Sequence, residues 1–449
     1  MKMESTVKNF ANFIGNSVKI EIPDEAYRSA KLIVADCLAA IVGGMAEPEM
    51  CKLTESEIGS DGNFFKALKN RKKITEENIS FVLGTAGTVL EMDEGHQFAK
   101  GHPGMHVFPA LLSAASNQDI SGEEFLRAFI LGYDVGARVG LASNLNPNMH
   151  PHGTWGGLGA AAGLAVIHKM NAQKAEEYLN IVSSLTLATS RKTMLEGATV
   201  RNSYAGISNK MAHVGLMLLK AGFTGEQDGI KSIFDGVVSS KFDDESALEL
   251  LGQRFEVTRN YFKLHACCRY NHAALDALWK IIKLHSEVNK VNEIRKVEVQ
   301  SYNLAAELKD QNPRNVLACK FSVPFALATT LVNLDSGVLS FTESMRTNEK
   351  IQKLCQKITV IEDKKMTEKT PNLRPALVRV FMADGTTFEA HVSTNRGDWQ
   401  DPYSEDELKQ KFLSLTKRLW SEKKALNVHS YSQNLEKIPL DDFIKCIIN

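Results

Sequence analysis

Patterns typical of β-strands are confined to one part of this 449-residue chain, and this confinement limits the possible folds most strongly. Polar and apolar residues alternate, as they do in half-buried strands, over residues 296–302, 357–362, 376–382 and 387–393. Asp384-Gly385, between the last two segments, predicts a hairpin turn. Up to about residue 265 we find no convincing strand pattern. The sequence therefore predicts a smaller α+β unit within a mostly α protein.

Helical periodicity dominates the remainder of the chain. The clearest segments are 5–17, 24–44, 75–91, 172–189 and 208–222, followed after the strand region by 405–419 and 439–448. A chain of this length exceeds one simple core, so two domains are expected. We predict a large all-helical domain formed by residues 1–267 and 396–449, with an α+β lid domain, residues 268–395, inserted into it.

Composition and charge argue against several functional classes. Lys+Arg and Asp+Glu both total 53, so the formal net charge is zero, and binding to nucleic acid or to an anionic membrane is not expected. The first residues, MKMESTVKNF, lack the apolar core of a secretory signal, and no apolar run reaches the roughly 18 residues of a membrane span. The seven cysteines form no CxxC pair, which favours free thiols and a cytoplasmic location.

Titratable residues are concentrated in the acid–histidine segment, which we define as residues 91–109 (EMDEGHQFAKGHPGMHVFP). Because every second or third residue is polar, we expect an irregular segment outside the core that is held in one shape. Such a segment suits acid–base chemistry on a small anion. A second segment, residues 149–157 (MHPHGTWGG), repeats this composition. It leads into residues 156–170, whose glycines, alanines and aliphatic residues predict a closely packed, buried helix.

Several motifs occur in the order found in one known family. They are Asp93 through Pro109 (DEGH…GHPG…PA), His150-x-x-Gly-Thr, Val200-Arg201-Asn202, Gly222-Phe223-Thr224-Gly225, Cys268-Arg269-Tyr270-x-His272, Lys320-Phe321-Ser322-Val323-Pro324 and Arg396-Gly397-Asp398. With these motifs spread over nearly its whole length, the chain resembles the MmgE/PrpD family, which includes 2-methylcitrate dehydratase, cis-aconitate decarboxylase and iminodisuccinate epimerase. The resemblance implies a large helical domain, a smaller α+β lid domain, a homodimer, and catalysis without a metal or organic cofactor.

Three residues depart from the family pattern. His152 stands where many members have threonine. Compared with the aconitate decarboxylases, Cys268 replaces a histidine and Arg201 replaces a lysine.

His102 and His150 are the first candidates for proton transfer, because an imidazole titrates at about pH 6.5. Abstraction of a proton next to a carboxylate requires such a base, together with cations that hold the developing charge. Asp93 is the third catalytic candidate; it could fix a histidine tautomer, act as the base itself, or only cap a loop. In the predicted mechanism, His150 or Asp93 takes the proton and His102 protonates the departing hydroxyl.

Five further residues are predicted to bind the substrate. Arg201, close to Tyr204, offers a planar fork that holds a carboxylate through two hydrogen bonds. Lys320 interrupts an apolar run and is either a carboxylate clamp or a lysine that reaches past apolar neighbours to solvent. Cys268 and His272 follow from the family motif. Their structural alternatives are a small buried residue near the site and an ordered histidine at a helix start.

The histidines also raise the question of a metal site. His96, His102, His106, His150 and His152 are residues of the kind that bind zinc or iron. Their spacing matches no helix-borne ligand pair such as HExxH. No metal is therefore predicted.

Taken with the resemblance, these residues predict a lyase that acts on a small di- or tricarboxylate, and dehydration of a 2-methylcitrate-like hydroxy acid is the first choice. Decarboxylation of the cis-aconitate type and epimerisation of the iminodisuccinate type are alternatives on the same scaffold, because all three reactions develop charge next to a carboxylate. A non-catalytic paralogue that binds a metabolite is the alternative from another class.

Overall fold

The computed structural model describes residues 5–59, 63–70 and 74–449, and helices dominate it. In the described part of the first 250 residues, the helices are α1 (Thr6–Gly15), α2 (Asp24–Gly44), α3 (Pro48–Ile58), α4 (Glu76–Val89), α5 (Pro103–Ala115), α6 (Gly122–Ala142), α7 (Gly156–Ile167), α8 (Ala172–Ser183), α9 (Lys192–Leu195), α10 (Tyr204–Lys220), α11 (Gly229–Ser232) and α12 (Asp244–Leu248). The prediction of a mostly α protein is confirmed.

The pair α6–α7 shows how the sequence produces the helical core. A capping box starts α6, since Ser121 Oγ accepts a hydrogen bond from the Glu124 N–H while the Glu124 carboxylate accepts one from the Ser121 N–H. Nearly all of α7 is buried, as its small residues predict. A Cβ added at Gly132 of α6 would lie 2.8 Å from the carbonyl oxygen of Gly159 in α7. The two backbones are therefore in direct contact.

Four short strands lie in the helical half, so the expectation of no strand before residue 265 is wrong in detail. They form two antiparallel pairs: β1 (Gly95–His96) with β4 (Asn260–Tyr261), and β2 (Ser143–Leu145) with β3 (Ser239–Phe242). Strands of two to four residues are too short to show an alternating pattern. The pair β1–β4 nevertheless matters for the site, because it holds the acid–histidine segment.

The second half contains a four-stranded sheet in the predicted region. Its strands are β5 (Ile294–Ser301), β6 (Ile358–Glu362), β7 (Ala376–Met382) and β8 (Thr387–Val392), in the order β6-β5-β7-β8. The pair β5–β6 is parallel, and the other two pairs are antiparallel. The predicted hairpin at Asp384-Gly385 connects β7 to β8, and Gly385 has the positive φ of 93° that such a turn requires.

Further helices surround this sheet and complete the chain. They are α13 (His272–Leu284), α14 (Asn303–Ala306), α15 (Val316–Lys320), α16 (Val323–Asn333), α17 (Glu343–Arg346), α18 (Glu349–Cys355), α19 (Lys364–Thr367), α20 (Glu405–Thr416), α21 (Glu422–Gln433) and α22 (Leu440–Ile448). Helix α13 packs against β7 and β8. The buried residues of β7 alternate with half-buried ones, as expected for a strand with one face on the core.

Helix α2 brings the N-terminal and C-terminal parts of the chain into contact. The C-terminal helices α20 and α21 pack against it, and Arg418 Nη1 donates to the carbonyl oxygen of Gly43 at 2.9 Å. Among the described residues, no single helix is both long and apolar enough to cross a membrane. Helices α2 and α3, which meet at 90°, reach the required length and apolar composition only when they are taken together. The position of α20 and α21 is compatible with a lid inserted into a helical domain, and the exact domain boundaries stay a prediction.

Candidate active site

The acid–histidine segment is buried over almost its whole length, so the expectation that it lies outside the core is wrong. Several of its polar groups have partners within the protein. The Lys263 ammonium lies 3.3 Å from Oδ1 of Asp93, and the Glu94 carboxylate accepts a hydrogen bond from the Gly104 N–H at 2.6 Å. Buried polar groups are tolerated when they are paired in this way.

The strand pair β1–β4 fixes the course of the segment. Gly95 pairs with Tyr261, and a Cβ added to Gly95 would lie 2.4 Å from the Tyr261 ring, so no other residue fits without displacement. The neighbouring His96 is fully buried and places Nε2 3.0 Å from the Glu256 carboxylate. His96 therefore holds the segment in place and does not line the cavity described next.

A cavity that opens to solvent lies where the acid–histidine segment, the loop of residues 149–157 and the second half of the chain meet. Most of its wall is polar or aromatic: Glu91, Lys100, His102, His150, His152, Arg191, Arg201, Tyr261, Cys268, Arg269, Tyr270, Phe321 and Arg374. Four of the predicted site residues are thus brought together, namely His102, His150, Arg201 and Cys268. Five cations line this cavity. Three of them, Arg191, Arg201 and Arg269, are paired with carboxylates, while Lys100 and Arg374 form no ion pair with a described carboxylate, so the wall carries an excess of positive charge that suits an anion.

His102 is held by two acceptors on the same ring nitrogen. Its Nδ1 lies 3.0 Å from Oδ2 of Asp93 and is also hydrogen-bonded to the carbonyl oxygen of Glu94. Because both partners are acceptors, the neutral ring carries its proton on Nδ1 and its lone pair on Nε2. Burial alone would raise the pKa of Asp93, but His102 and Lys263 hold it well below the usual value. Asp93 thus lies behind His102 as a buried carboxylate.

His150 has the opposite tautomer. Its Nδ1 accepts a hydrogen bond from the backbone N–H of His152 at 3.0 Å, so the proton of the neutral ring lies on Nε2. The loop is fixed by Thr189, whose hydroxyl donates to the carbonyl oxygens of His150 and His152 at 2.9 and 2.8 Å. Burial and then the Arg201 charge lower the pKa of His150 well below its usual value, so the ring is neutral at physiological pH.

Two further imidazoles pack against this pair. The His152 ring lies edge-on to those of His102, His150 and His106, with ring centroids 4.6, 4.9 and 5.3 Å apart. Burial lowers the pKa of His106 to about 3 and that of His152 well below its usual value. In the part of the chain that the structure describes, no three His, Cys, Asp or Glu side chains are arranged to hold a metal ion.

Arg201 lies on the short 3₁₀ turn Thr199–Ser203 that precedes α10. Its guanidinium forms an ion pair with Glu91 and lies 5.3 Å from the centroid of the Phe321 ring. Against the effect of burial, Arg201 and then Lys263 lower the pKa of Glu91, so a carboxylate remains beside the cavity.

Tyr204 contacts the site from behind. Its ring centroid lies 5.8 Å from that of His150, and its hydroxyl donates to Thr193 Oγ1 at 3.4 Å. It therefore supports the His150 ring and does not belong to the cavity wall.

Lys320 and His272 do not occupy the predicted positions in the cavity wall. The Lys320 ammonium donates at 2.7 Å to the carbonyl oxygen of Val89, the last residue of α4, and lines a neighbouring cavity. A cation is favourable at the carbonyl end of a helix, which accounts for this placement; burial lowers the Lys320 pKa to about 8. His272 is fully buried and accepts a hydrogen bond from Arg269 at 2.9 Å. It orients Arg269 within the core.

Cys268 lies at the cavity wall, and its predicted contact with the substrate stays a prediction. The thiol is buried at the cavity wall, and burial raises its pKa to about 11. It is therefore a neutral thiol at physiological pH, and no thiolate nucleophile is available.

Several charged residues of the site were not singled out in the sequence. Lys100, Arg191 and Arg374 line the cavity, and Lys263 lies directly behind it. Lys263 interrupts the apolar run YFKLHA, just as Lys320 interrupts an apolar run. The same sequence pattern could therefore have identified Lys263 as a candidate. Lys100, Arg191 and Arg374 lie in ordinary polar stretches and offer no such pattern.

A helical protein whose cationic cavity holds two histidines of opposite tautomer has the features of an acid–base enzyme for anionic substrates. Comparison with family models is more specific. The models of the MmgE/PrpD N-terminal domain and C-terminal domain match residues 8–246 and 265–437. The chain belongs to the MmgE/PrpD family.

Similar proteins cover nearly the whole chain. Cis-aconitate decarboxylase from Aspergillus terreus is 21% identical over 97% of this chain and 95% of its own length. The cis-aconitate decarboxylase-like protein oryM from Aspergillus oryzae is 21% identical, covering 95% and 93%. Cis-aconitate decarboxylase from Mus musculus is 23% identical, covering 92% and 87%. These similarities support a lyase-type function at the level of the family.

Proposed function

We propose that this protein is a lyase that removes a proton next to a carboxylate of a small di- or tricarboxylate, with dehydration of a 2-methylcitrate-like hydroxy acid as its reaction. The observation that carries the proposal is the pair of opposite tautomers: His102 directs a lone pair, and His150 an N–H, from the wall of one cationic cavity. A base and a donor at one site are what charge development next to a carboxylate requires.

His102 is the base in this mechanism. Its Nε2 takes the proton from the carbon next to the carboxylate, and the electron pair of that C–H bond forms the C=C bond as the C–O bond breaks. The resulting imidazolium, stabilised by the Asp93 carboxylate 3.0 Å away, then transfers the same proton to the departing hydroxyl, which leaves as water. Asp93 positions His102 and does not itself contact the substrate, in contrast to its predicted role as a possible base.

His150 is a neutral hydrogen-bond donor. Because its pKa is well below the usual value, it is not an imidazolium that could give up a proton at neutral pH. Its Nε2–H instead stabilises the negative charge that develops on the substrate carboxylate, as neutral histidines do in other enzymes. Arg201 holds that carboxylate through its planar fork.

Decarboxylation of a cis-aconitate-type substrate is the second candidate, and the names of the relatives favour it. There the C–C bond to the carboxylate breaks, carbon dioxide leaves, and the electron pair on carbon takes a proton from protonated His102. His152, Cys268 and Arg201, the three residues that depart from the family pattern, all line the cavity. Because the departures lie in the site itself, we place dehydration first.

Proton NMR in deuterium oxide distinguishes these reactions. The purified protein is incubated with citrate, 2-methylcitrate, cis-aconitate or iminodisuccinate. Loss of the 2-methylcitrate signals, with appearance of a product methyl singlet shifted downfield by the adjacent C=C bond, reports dehydration. Carbon dioxide release from cis-aconitate, with one deuterium in the product, reports decarboxylation, and exchange without a net product reports epimerisation. Binding of a substrate without exchange or product would contradict the proposal and favour the non-catalytic paralogue.

A further inference from the structure

Arg374 is a buried cation of the cavity for which the proposed mechanism gives no role. It lies two residues before β7, is 5% exposed, and belongs to the cavity wall. Its Nη2 donates to the carbonyl oxygen of Gln97 at 2.9 Å. Its Nη1 is buried and has no hydrogen-bond partner among the described residues.

The other arginines of the cavity differ from Arg374 in one respect, because each has a carboxylate partner. The pairs are Arg201–Glu91, Arg269–Asp398 and Arg191–Glu307. Within residues 5–59, 63–70 and 74–449, no carboxylate forms an ion pair with Arg374. Burial of a charge is unfavourable unless the charge is paired. An anion bound at the free Nη1 would therefore offset the free-energy cost of burying the Arg374 guanidinium.

The surroundings of Arg374 add to this cationic character. The Tyr261 and Tyr270 rings lie 5.8 and 5.7 Å from the centre of its guanidinium. Lys100 lies at the exposed rim of the same cavity and likewise forms no ion pair with a described carboxylate. Loss of solvent around the ammonium, and then the Arg374 charge, lower the pKa of Lys100. Two cations that repel each other thus share one part of the wall.

Arg374 and Arg201 contact different residues of that wall. Arg201 is beside Glu91 and Phe321, whereas Arg374 is beside Tyr261 and Gln97. A substrate with a single carboxylate, once held by Arg201, would leave Arg374 without a partner.

We propose that Arg374, assisted by Lys100 at the rim, binds a second carboxylate of the substrate and selects molecules with at least two carboxylates. This inference rests on the proposed function and adds a residue that determines its substrate class. The reacting carboxylate lies at Arg201, and the distal one at Arg374.

Calorimetric titration with three unreactive acids tests the inference. The probes are tricarballylate, glutarate and butyrate, which carry three, two and one carboxylates. The variants are Arg374→Gln, Arg374→Lys and Lys100→Gln. Arg379→Gln is the matched control, because Arg379 lies on the exposed side of β7, where it pairs with Glu389.

We expect the wild-type protein and the control to bind tricarballylate and glutarate more tightly than butyrate. Arg374→Gln should weaken binding of the first two by roughly tenfold or more, the scale of a lost charged hydrogen bond, and leave butyrate unchanged. Arg374→Lys and Lys100→Gln should each cause a smaller loss of the same pattern. If Arg374→Gln does not fold, these two variants decide the question.

Two negative results are distinguishable. If the wild-type protein prefers the polycarboxylates and the Arg374 and Lys100 variants keep that preference, the second subsite is wrong while the proposed function stands. If the wild-type protein binds all three acids equally, the polycarboxylate substrate class itself is wrong, and both proposals fail.

Discussion

Oδ2 of Asp93 lies 3.0 Å from Nδ1 of His102, while Oδ1 of the same carboxylate lies 3.3 Å from the ammonium of Lys263. Asp93 and Lys263 are both fully buried, and His102 alone of the three reaches the cavity. The chain Lys263–Asp93–His102 therefore connects a charge in the core to the base at the cavity wall. It keeps the carboxylate ionised and the lone pair of His102 on Nε2.

Asp93→Asn should disable the base while keeping the shape of the site. An asparagine carries no negative charge, so it no longer stabilises the protonated form of His102 that follows proton abstraction, although the Glu94 carbonyl oxygen still accepts from Nδ1. We expect kcat to fall by roughly 100-fold or more, with a smaller change in KM. Steady-state kinetics on the substrate found by NMR provides the measurement, and Asp442→Asn, on the exposed side of α22, is the control. A kcat within twofold of wild type would contradict the role given to Asp93.

The two histidines should respond differently to replacement by glutamine. His102→Gln removes the imidazole that takes the proton in the proposed mechanism, so kcat should fall by roughly 100-fold or more. His150→Gln keeps an amide N–H where the ring had one, so the loss should be smaller. Replacement of the exposed His391 by Gln is the control. A larger loss for His150→Gln than for His102→Gln would reverse the assignment of base and donor.

Arg201→Lys should separate binding from stability. The lysine keeps the charge beside Glu91 but loses the fork that holds a carboxylate through two hydrogen bonds. We expect KM to rise by roughly tenfold and the unfolding temperature to change little. Kinetics and thermal unfolding are measured on the same preparation. An unchanged KM would show that Arg201 supports Glu91 and does not hold the substrate.

Exhaustive chelation should leave activity unchanged. The predicted absence of a metal rests on the family resemblance and on histidine spacing, and the rings of His102, His150 and His106 pack edge-on around His152. Activity is measured before and after dialysis against EDTA, and metal content is measured by mass spectrometry. Stoichiometric zinc or iron, with activity lost on its removal and restored on its return, would show that the prediction is wrong.

The fold was predictable where local patterns decide it. The alternating residues of β7 and the Asp384-Gly385 turn identified the sheet, and the small residues of α7 identified a buried helix. The start of α5 was not predictable. The helix begins at Pro103, although Pro109 lies inside it and cannot donate to the carbonyl oxygen of Met105.

A distant residue explains why α5 continues through Pro109. Asn209, on α10, donates from Nδ2 to the carbonyl oxygen of Met105 at 3.0 Å, and its Oδ1 accepts from the Ala110 N–H at 2.9 Å. One side chain thus supplies the donor that Pro109 cannot give to the Met105 carbonyl oxygen, and it also binds the Ala110 N–H. No local pattern in residues 103–115 contains this information.

The site was predictable in part for the same reason. His102 and His150 stood out because they are titratable residues among glycines and prolines, and Arg201 stood out because it lies in a polar interruption. Arg374 was missed because its role depends on a contact with Gln97, 277 residues earlier in the chain. Lys320 was misplaced because its motif cannot show on which side of the packed helices the ammonium emerges.

The buried imidazoles should make the protein sensitive to acid, and His106 offers the cleanest test. Its ring is fully buried, neither ring nitrogen has a hydrogen-bond partner among the described residues, and burial lowers its pKa to about 3. In the unfolded chain the pKa is about 6.5. Above pH 6.5 the ring is neutral in both states. Between pH 6.5 and pH 3 the unfolded chain binds a proton that the folded protein does not, so stability falls as the pH falls.

His106→Leu should remove this contribution. The quantity compared is the decrease in the free energy of unfolding between pH 7.5 and pH 5. This decrease should be about 2 kcal/mol larger in the wild-type protein than in the variant. Asp134, whose pKa burial raises to about 6, shifts stability in the opposite sense, but it is present in both proteins and cancels in the difference. Urea unfolding at the two pH values measures the effect, with His391→Gln as the exposed control. Parallel losses in wild type and His106→Leu would show that His106 is protonated, or paired, in the folded protein.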